Sequence, residues 1–252
     1  MELQEALRKL AALGTAQNRK VYARHGVSGD SFGVSYANLA KLEKEIGVDH
    51  DLARALWKTG NHDARVLATK IADPAKTTAR LLEDWAGDLG DYVVTDALAK
   101  LASRTSVAPA LVEAWTRSPD EWIGAAGWIV LAASLEREDA PDDERLARRL
   151  AEIEARIHAA PNRTRYSMNL ALIAIGSSRA SLRGQVLAAA KRIGRVDVDH
   201  GETGCKTPDA AAYIAKVIAY REKARKGARA AASPRLGVPP KKPRGEDTKA
   251  KL

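Results

Sequence analysis

The sequence contains few of the residues that build disulfide-linked or β-rich proteins. It has one cysteine and one phenylalanine among 252 residues, and aromatic residues make up 5%. Cys205 alone cannot form a disulfide within the chain. No apolar run approaches the length of about 18 residues that a membrane span needs, and the charged N-terminus lacks a signal-peptide layout. We therefore expect a cytoplasmic protein that has no membrane partner.

The core must be built mainly from aliphatic side chains. Hydrophobic residues make up 45% of the chain, and with so few aromatics these are mostly Leu, Ala, Val and Ile. This composition is typical of packed helices rather than of a β-sandwich or barrel.

The positive charge is concentrated at the C-terminal end. The chain has a formal net charge of +9, and residues 221–252 contain eleven Lys or Arg against three Asp or Glu. A basic segment of this kind indicates either a polyanionic partner such as nucleic acid or a solubilising extension.

Helix start and stop signals follow one another along the chain. Capping side chains such as Ser35, Asp49 and Asn61 precede apolar periodic segments, and Gly47 and Gly60 follow them. Such residues satisfy the free backbone groups at helix ends. About a dozen short helices are predicted, without convincing β-alternation.

Successive short helices predict an all-α fold, an α-α superhelix of the HEAT-like repeat type. We expect this helical domain to cover residues 1–226, with a concave side able to hold an elongated ligand. Residues 227–252 are rich in Pro, Ala and basic side chains, and we expect a disordered tail there.

One pair of side chains raises the question of catalysis. Tyr92 and Asp96 are four residues apart, which places both on one face of a helix. They could form part of an active site. Alternatively, Asp96 could form a surface ion pair with Lys100, while Tyr92 covers the edge of the core.

The segment from His25 to Pro74 contains recognisable motifs: the "FGV" entry, the "LAK" helix, "LA..LW..G" and "H.AR.LA..IADP". Together with "EWIGAAGW" and "GETGCKTPDAAAYIAKV", they resemble the AlkD-like DNA alkylation repair proteins, a family of HEAT-like repeat DNA glycosylases and their relatives. The resemblance covers roughly residues 20–220.

The resemblance implies a positively charged groove that holds double-stranded DNA. It also implies possible glycosylase activity, that is, hydrolysis of the N-glycosyl bond of N3- or N7-alkylated purines. Asp96 matches the family's catalytic aspartate, and Tyr92 stands where active members carry a tryptophan. No cofactor or metal is expected, and we expect a monomer associated with the nucleoid.

The sequence also departs from the active members. Gly124, Ala125 and Ala126 stand where those members carry an arginine, and Tyr166 is the only aromatic near the position of a second tryptophan. A non-catalytic relative that binds damaged or branched DNA is therefore an alternative, and a protein-interaction scaffold is another.

Basic residues near predicted helix starts are candidates for contacts with phosphate. The candidate DNA-binding residues are Arg65, Lys100, Arg163, Arg165, Tyr166, Arg179, Arg183 and Lys206. Arg65 lies at the same helix start as His62 and Asp63. Instead of contacting DNA, this helix start could provide a cap and a buried ion pair between repeats. The acidic loop before Lys206 fits no zinc pattern, and the five tryptophans are expected to pack in the core.

Overall fold

A computed structural model of the chain describes residues 1–232, and thirteen α-helices account for most of them. The helices are α1 (Leu3–Leu13), α2 (Ala16–Arg24), α3 (Tyr36–Ile46), α4 (His50–Lys58), α5 (His62–Ile71), α6 (Ala79–Ala86), α7 (Tyr92–Ala102), α8 (Ala108–Trp115), α9 (Glu121–Ser134), α10 (Asp143–Arg156), α11 (Asn162–Ser178), α12 (Arg183–Ile193) and α13 (Ala210–Ala232).

Several helices begin at a side chain that accepts a hydrogen bond from the backbone. Ser35, Asp49 and Asn61 each accept a hydrogen bond from the backbone N–H three residues later. Helix α6 begins at Ala79, where the Thr78 hydroxyl accepts a hydrogen bond from the backbone N–H of Leu81. The boundaries predicted at Ser35, Asp49 and Asn61 are therefore confirmed.

Within residues 1–215 the helices form two layers. One layer contains α3, α5, α7, α9 and α11, each of which packs against the next. In the second layer α4, α8 and α12 pack on α5, α9 and α11, while α6 packs on α7 and α10 on both α11 and α12. The first layer therefore brings residues that are distant in sequence next to one another.

The core is aliphatic, with tryptophans at helix ends. Trp57 and Trp85 are buried and their rings stack in parallel at 4.3 Å. Trp115 and Trp128 are also buried, whereas Trp122 is half-buried. The expectation that the tryptophans serve packing is confirmed for the four buried rings.

Two glycines of α9 lie close to neighbouring segments. A Cβ on Gly127 would lie 2.5 Å from the backbone nitrogen of Thr116, and one on Gly124 would lie 2.9 Å from the Thr164 hydroxyl. Separations below 3 Å are not tolerated, so only glycine allows α9 to pack this closely on α11 and on the end of α8.

The chain divides into two compact units, residues 1–215 and residues from Lys216 onward. Helix α13 continues to Ala232, past the predicted start of the tail at residue 227. The remainder of the predicted tail, from residue 233, lies outside the described residues. Among residues 1–232, no helix has the length and hydropathy to span a membrane.

Candidate functional site

The start of α7 is fixed by Asp91. Its Oδ1 accepts hydrogen bonds from the backbone N–H groups of Val93 (2.8 Å) and Val94 (3.0 Å). Its Oδ2 lies 3.1 Å from Nδ1 of the buried His62 on α5. Tyr92 follows directly, and its hydroxyl is hydrogen-bonded to His25 Nδ1 at 2.7 Å. The first turn of α7 is therefore held rigidly against α5 and the end of α2.

Asp96 lies one turn along the same helix, half-buried and lining a cleft. Within the described residues its carboxylate has no hydrogen-bond or ion-pair partner, and the alternative pairing with Lys100 is not formed. Burial raises its pKa, while the positive charges of Lys100 and Arg163 act in the opposite direction. A half-buried carboxylate without a partner is costly, and such groups are concentrated at functional sites.

Arg163 of α11 lies between two tyrosine rings. Its guanidinium carbon is 4.5 Å from the ring centre of Tyr92 and 4.7 Å from that of Tyr166. Both distances are in the cation–π range. In the part of the chain that the structure describes, the guanidinium forms no hydrogen bond or ion pair, so its N–H donors are available to a ligand. Arg163, Tyr92, Tyr166 and Asp96 are called the α7–α11 site below.

The first turn of α11 is positioned by α9. Pro161, the residue before α11, offers no capping side chain; instead Glu121 Oε1 accepts the backbone N–H of Arg163 at 2.6 Å. The Thr164 hydroxyl donates to the Glu121 carbonyl at 2.8 Å. Because Gly124 lets the two helices meet at Thr164, α9 fixes the position of Arg163 relative to α7.

The loop between α12 and α13 closes one side of the site. Asn162 and Asp199 exchange two hydrogen bonds of 2.8 Å. His200 contacts the Tyr166 ring edge-on at 5.4 Å, and burial together with the charge of Arg163 lowers the pKa of His200. Cys205, an exposed residue of this loop, is close enough to influence the pKa of Tyr92, which burial raises.

The cleft beside Asp96 has a volume of about 380 Å³ and lies among α3, α5 and α7. Its lining includes residues that the sequence analysis missed: Tyr36, which is 55% exposed, Lys70 and Arg104. Lys70 is paired with Glu43 at 2.7 Å, and Arg104 donates to the Thr69 carbonyl at 3.4 Å. The cleft therefore combines an exposed aromatic ring, two further cationic side chains and a carboxylate that is unpaired among the described residues.

The structure brings four of the predicted DNA-binding residues to this region. Arg163 and Tyr166 belong to the α7–α11 site, Lys100 lines the cleft, and Arg165 anchors the neighbouring loop through the carbonyl of Asp197. Lys206 lines a different and larger cavity, of about 1050 Å³, next to the same loop.

The other predicted contacts lie apart from the α7–α11 site. Arg65 is paired with Asp88 at 3.2 Å and lies over the Trp57 ring. Arg179 is 4.0 Å from Asp143, and Arg183 donates to the Gly176 carbonyl. Each of these side chains makes an intramolecular contact that fixes neighbouring helices.

The buried pair expected at this helix start joins His62 to Asp91, whereas Asp63 has no ion-pair partner among the described residues. It is fully buried, and its two oxygens accept hydrogen bonds from the backbone of Phe32, Gly33 and Val34 and from the Ser31 hydroxyl. Gly33 has a φ of 76°, in the left-handed region of backbone conformation that favours glycine. Asp63 therefore holds the "FGV" loop in place by hydrogen bonding, which sequence spacing could not show.

Two sequence comparisons bear on this arrangement. Residues 3–214 match the sequence model of a family described as "DNA alkylation repair enzyme". The chain is also similar to uncharacterised proteins of Listeria innocua and Listeria monocytogenes, each 30% identical over 214 residues, covering 82% of this chain and 93% of the relative.

A solved structure supports the same relationship. It has 27% sequence identity and a TM-score of 0.81, covering 88% of this chain and 95% of the other. That protein is described as a member of a new family related to the HEAT-like repeat DNA glycosylases, with affinity for branched DNA structures. The predicted HEAT-like helical fold is thereby confirmed.

Proposed function

We propose, because the chain belongs to the DNA alkylation repair enzyme family, that it binds duplex DNA at the α7–α11 site and releases alkylated purines there. The observation that carries the proposal is Asp96: a half-buried carboxylate that lines a cleft, has a raised pKa and lacks a partner among the described residues.

The chemistry asks little of the protein. A purine alkylated at N7 or N3 carries a positive charge. When the bond between C1′ and the base breaks, the electron pair leaves with the base, which becomes neutral. The sugar is left as an oxocarbenium ion, and water then adds to C1′ and loses a proton. No general acid is needed, because the leaving group is already cationic.

Asp96 supplies negative charge where positive charge develops. A carboxylate in a partly desolvated cleft stabilises an oxocarbenium-like sugar more strongly than it would in bulk water. Tyr92 is held beside it by the His25 hydrogen bond and excludes water from the sugar. Arg163 and Lys100 contact phosphates on either side of the target nucleotide, since both lack a partner in the described part of the chain.

The test is the release of N7-methylguanine from a duplex, followed as abasic sites under single-turnover conditions. Asp96→Asn should lower the rate by about 10²-fold or more, because one preorganised charged group at a reacting centre contributes on this order. Its affinity for undamaged duplex should remain within about threefold. The matched control is Asp51→Asn, an exposed carboxylate in the first turn of α4. Equal release by the wild type and Asp96→Asn would refute the assignment.

A second function is favoured by a separate observation. The guanidinium of Arg163 covers both tyrosine rings of the site and has no acceptor within the described residues. A site whose rings are covered by an arginine with free N–H donors is suited to bind phosphates of distorted or branched DNA without base excision. Tighter binding of a three-way junction than of a linear duplex, with no abasic sites formed, would support this alternative.

A further inference from the structure

The Arg163 side chain occupies the surfaces that a cationic base or sugar would use. Its guanidinium is 4.5 Å from the centre of the Tyr92 ring and 4.7 Å from that of Tyr166. A ring face attracts a cation through its quadrupole, and a face that is already covered by one cation does not accept a second. The cationic side chain and a cationic ligand therefore compete for the same place.

Asp96 and Arg163 are opposite charges in one site, yet they do not form an ion pair. No hydrogen bond or ion pair joins them in the described residues, although the charge of Arg163 acts to lower the pKa of Asp96, which burial raises. The Arg163 backbone is fixed by Glu121, so only the side chain is free to move. The guanidinium thus rests on the rings with none of its N–H donors bonded to the described residues, which is unusual for a half-buried arginine.

An anionic oxygen on a ligand would satisfy those donors. Phosphate accepts two parallel hydrogen bonds from a guanidinium, and such charge-assisted pairs are stronger than a cation–π contact. A DNA phosphate near the start of α11 can therefore draw Arg163 away from Tyr92 and Tyr166 and expose both ring faces beside Asp96.

We propose that Arg163 is a specificity-determining residue: while it lies between Tyr92 and Tyr166 it excludes cationic groups from the site, and a DNA phosphate that binds its guanidinium opens the rings to them. This inference rests on the proposed function. It adds that the protein discriminates against a positively charged nucleotide unless the adjoining phosphate is correctly placed.

The experiment compares two stable abasic-site analogues in a duplex whose phosphates flanking the analogue are replaced by neutral methylphosphonates, so that no phosphate draws Arg163 away from the rings. One carries a pyrrolidine ring, which is protonated at neutral pH, and the other a neutral tetrahydrofuran ring. Fluorescence anisotropy gives the affinity for each duplex, and the ratio of the two affinities is the preference for the cation. The proteins are the wild type, Arg163→Gln, Asp96→Asn and Arg80→Gln.

Arg163→Gln should raise the preference for the cation about tenfold, because it removes the competing charge and uncovers the rings. On the unmodified duplex its preference should equal that of the wild type, because there a phosphate has already drawn Arg163 away from the rings. Arg80 on α6 is an exposed arginine without a partner among the described residues, so Arg80→Gln should leave the preference unchanged. An unchanged or lower preference in Arg163→Gln would overturn the inference.

One further variant separates this inference from the proposed function. Asp96→Asn tests the proposed function alone, because loss of this carboxylate should remove the preference of the wild type for the cation on the unmodified duplex, where Arg163 no longer covers the rings. If Asp96→Asn changes nothing while Arg163→Gln raises the preference, the exclusion by Arg163 stands and the catalytic assignment of Asp96 fails.

Discussion

Replacing Asp96 by asparagine should stabilise the free protein at neutral pH, although it should slow base release. The ionised carboxylate is half-buried and has no hydrogen-bond partner within the described residues. Its burial costs free energy, which Lys100 and Arg163 offset only in part, because the net effect is a raised pKa. A neutral amide of the same size avoids most of that cost.

The pH dependence has a defined sign. Between the ordinary aspartate pKa of 3.8 and the raised pKa of folded Asp96, the folded chain binds more protons at this group than the unfolded chain. Folding stability therefore falls as the pH rises through this interval. The gain from Asp96→Asn should be complete above the folded pKa and should vanish below 3.8.

The expected gain is about 1 kcal/mol, at the low end of the range for an unsatisfied polar group, because the side chain is partly exposed and two cations act on it. For a chain of this size that corresponds to a rise in Tm of about 2–4 °C. Urea unfolding at a series of pH values between 4 and 8 measures it directly.

Asp63→Asn is the contrasting control. Asp63 accepts hydrogen bonds from three backbone N–H groups and a hydroxyl, and an amide has only one oxygen with which to replace them. This variant should lose about 2–4 kcal/mol of stability. If Asp96→Asn also destabilised the protein at pH 7, Asp96 would have a structural partner and our reasoning about its unpaired carboxylate would be wrong.

Further predictions concern the packing that positions Arg163. Gly127→Ala should lower the free energy of unfolding in urea by about 3 kcal/mol, because the new Cβ would meet backbone atoms of Thr116. Gly184→Ala in α12, where nothing lies within 4 Å of the new Cβ, should instead raise it by about 0.5–1 kcal/mol. Equal effects of the two would contradict the close approach of α9. Glu121→Ala should cost about 1 kcal/mol, because the backbone N–H of Arg163 loses its acceptor. It should also weaken duplex binding in anisotropy titrations, and an unchanged affinity would show that this cap does not position Arg163.

The helices could be predicted from the sequence where a capping oxygen precedes a segment with clear apolar periodicity. Ser35, Asp49 and Asn61 act as predicted. Helix α2 was not predicted, because its nine residues include only one buried side chain, Tyr22, and show little apolar periodicity. The resemblance to the DNA alkylation repair family, based on short motifs, is confirmed by the match over residues 3–214.

The site could be predicted only in part. The spacing of Tyr92 and Asp96 placed both on one helix face, and Arg163 was predicted as a candidate for contact with phosphate. Its position between two tyrosines depends on the approach of α7 and α11 through α9, which Gly124 permits. No local pattern encodes a contact between residues about seventy positions apart. The hydrogen bond between His25 and the Tyr92 hydroxyl could not be predicted either, because His25 lies just after a short helix that shows little apolar periodicity.

The salt dependence of duplex binding tests the central claim most directly, because it counts the phosphates that the protein neutralises. Affinity for an undamaged duplex would be measured between about 50 and 200 mM salt for the wild type, Arg163→Gln and Arg80→Gln. If Arg163 contacts a phosphate beside Asp96, the slope of log affinity against log salt should become shallower by about 0.9 in Arg163→Gln and should not change in Arg80→Gln. Identical slopes for all three proteins would contradict the placement of DNA at the α7–α11 site.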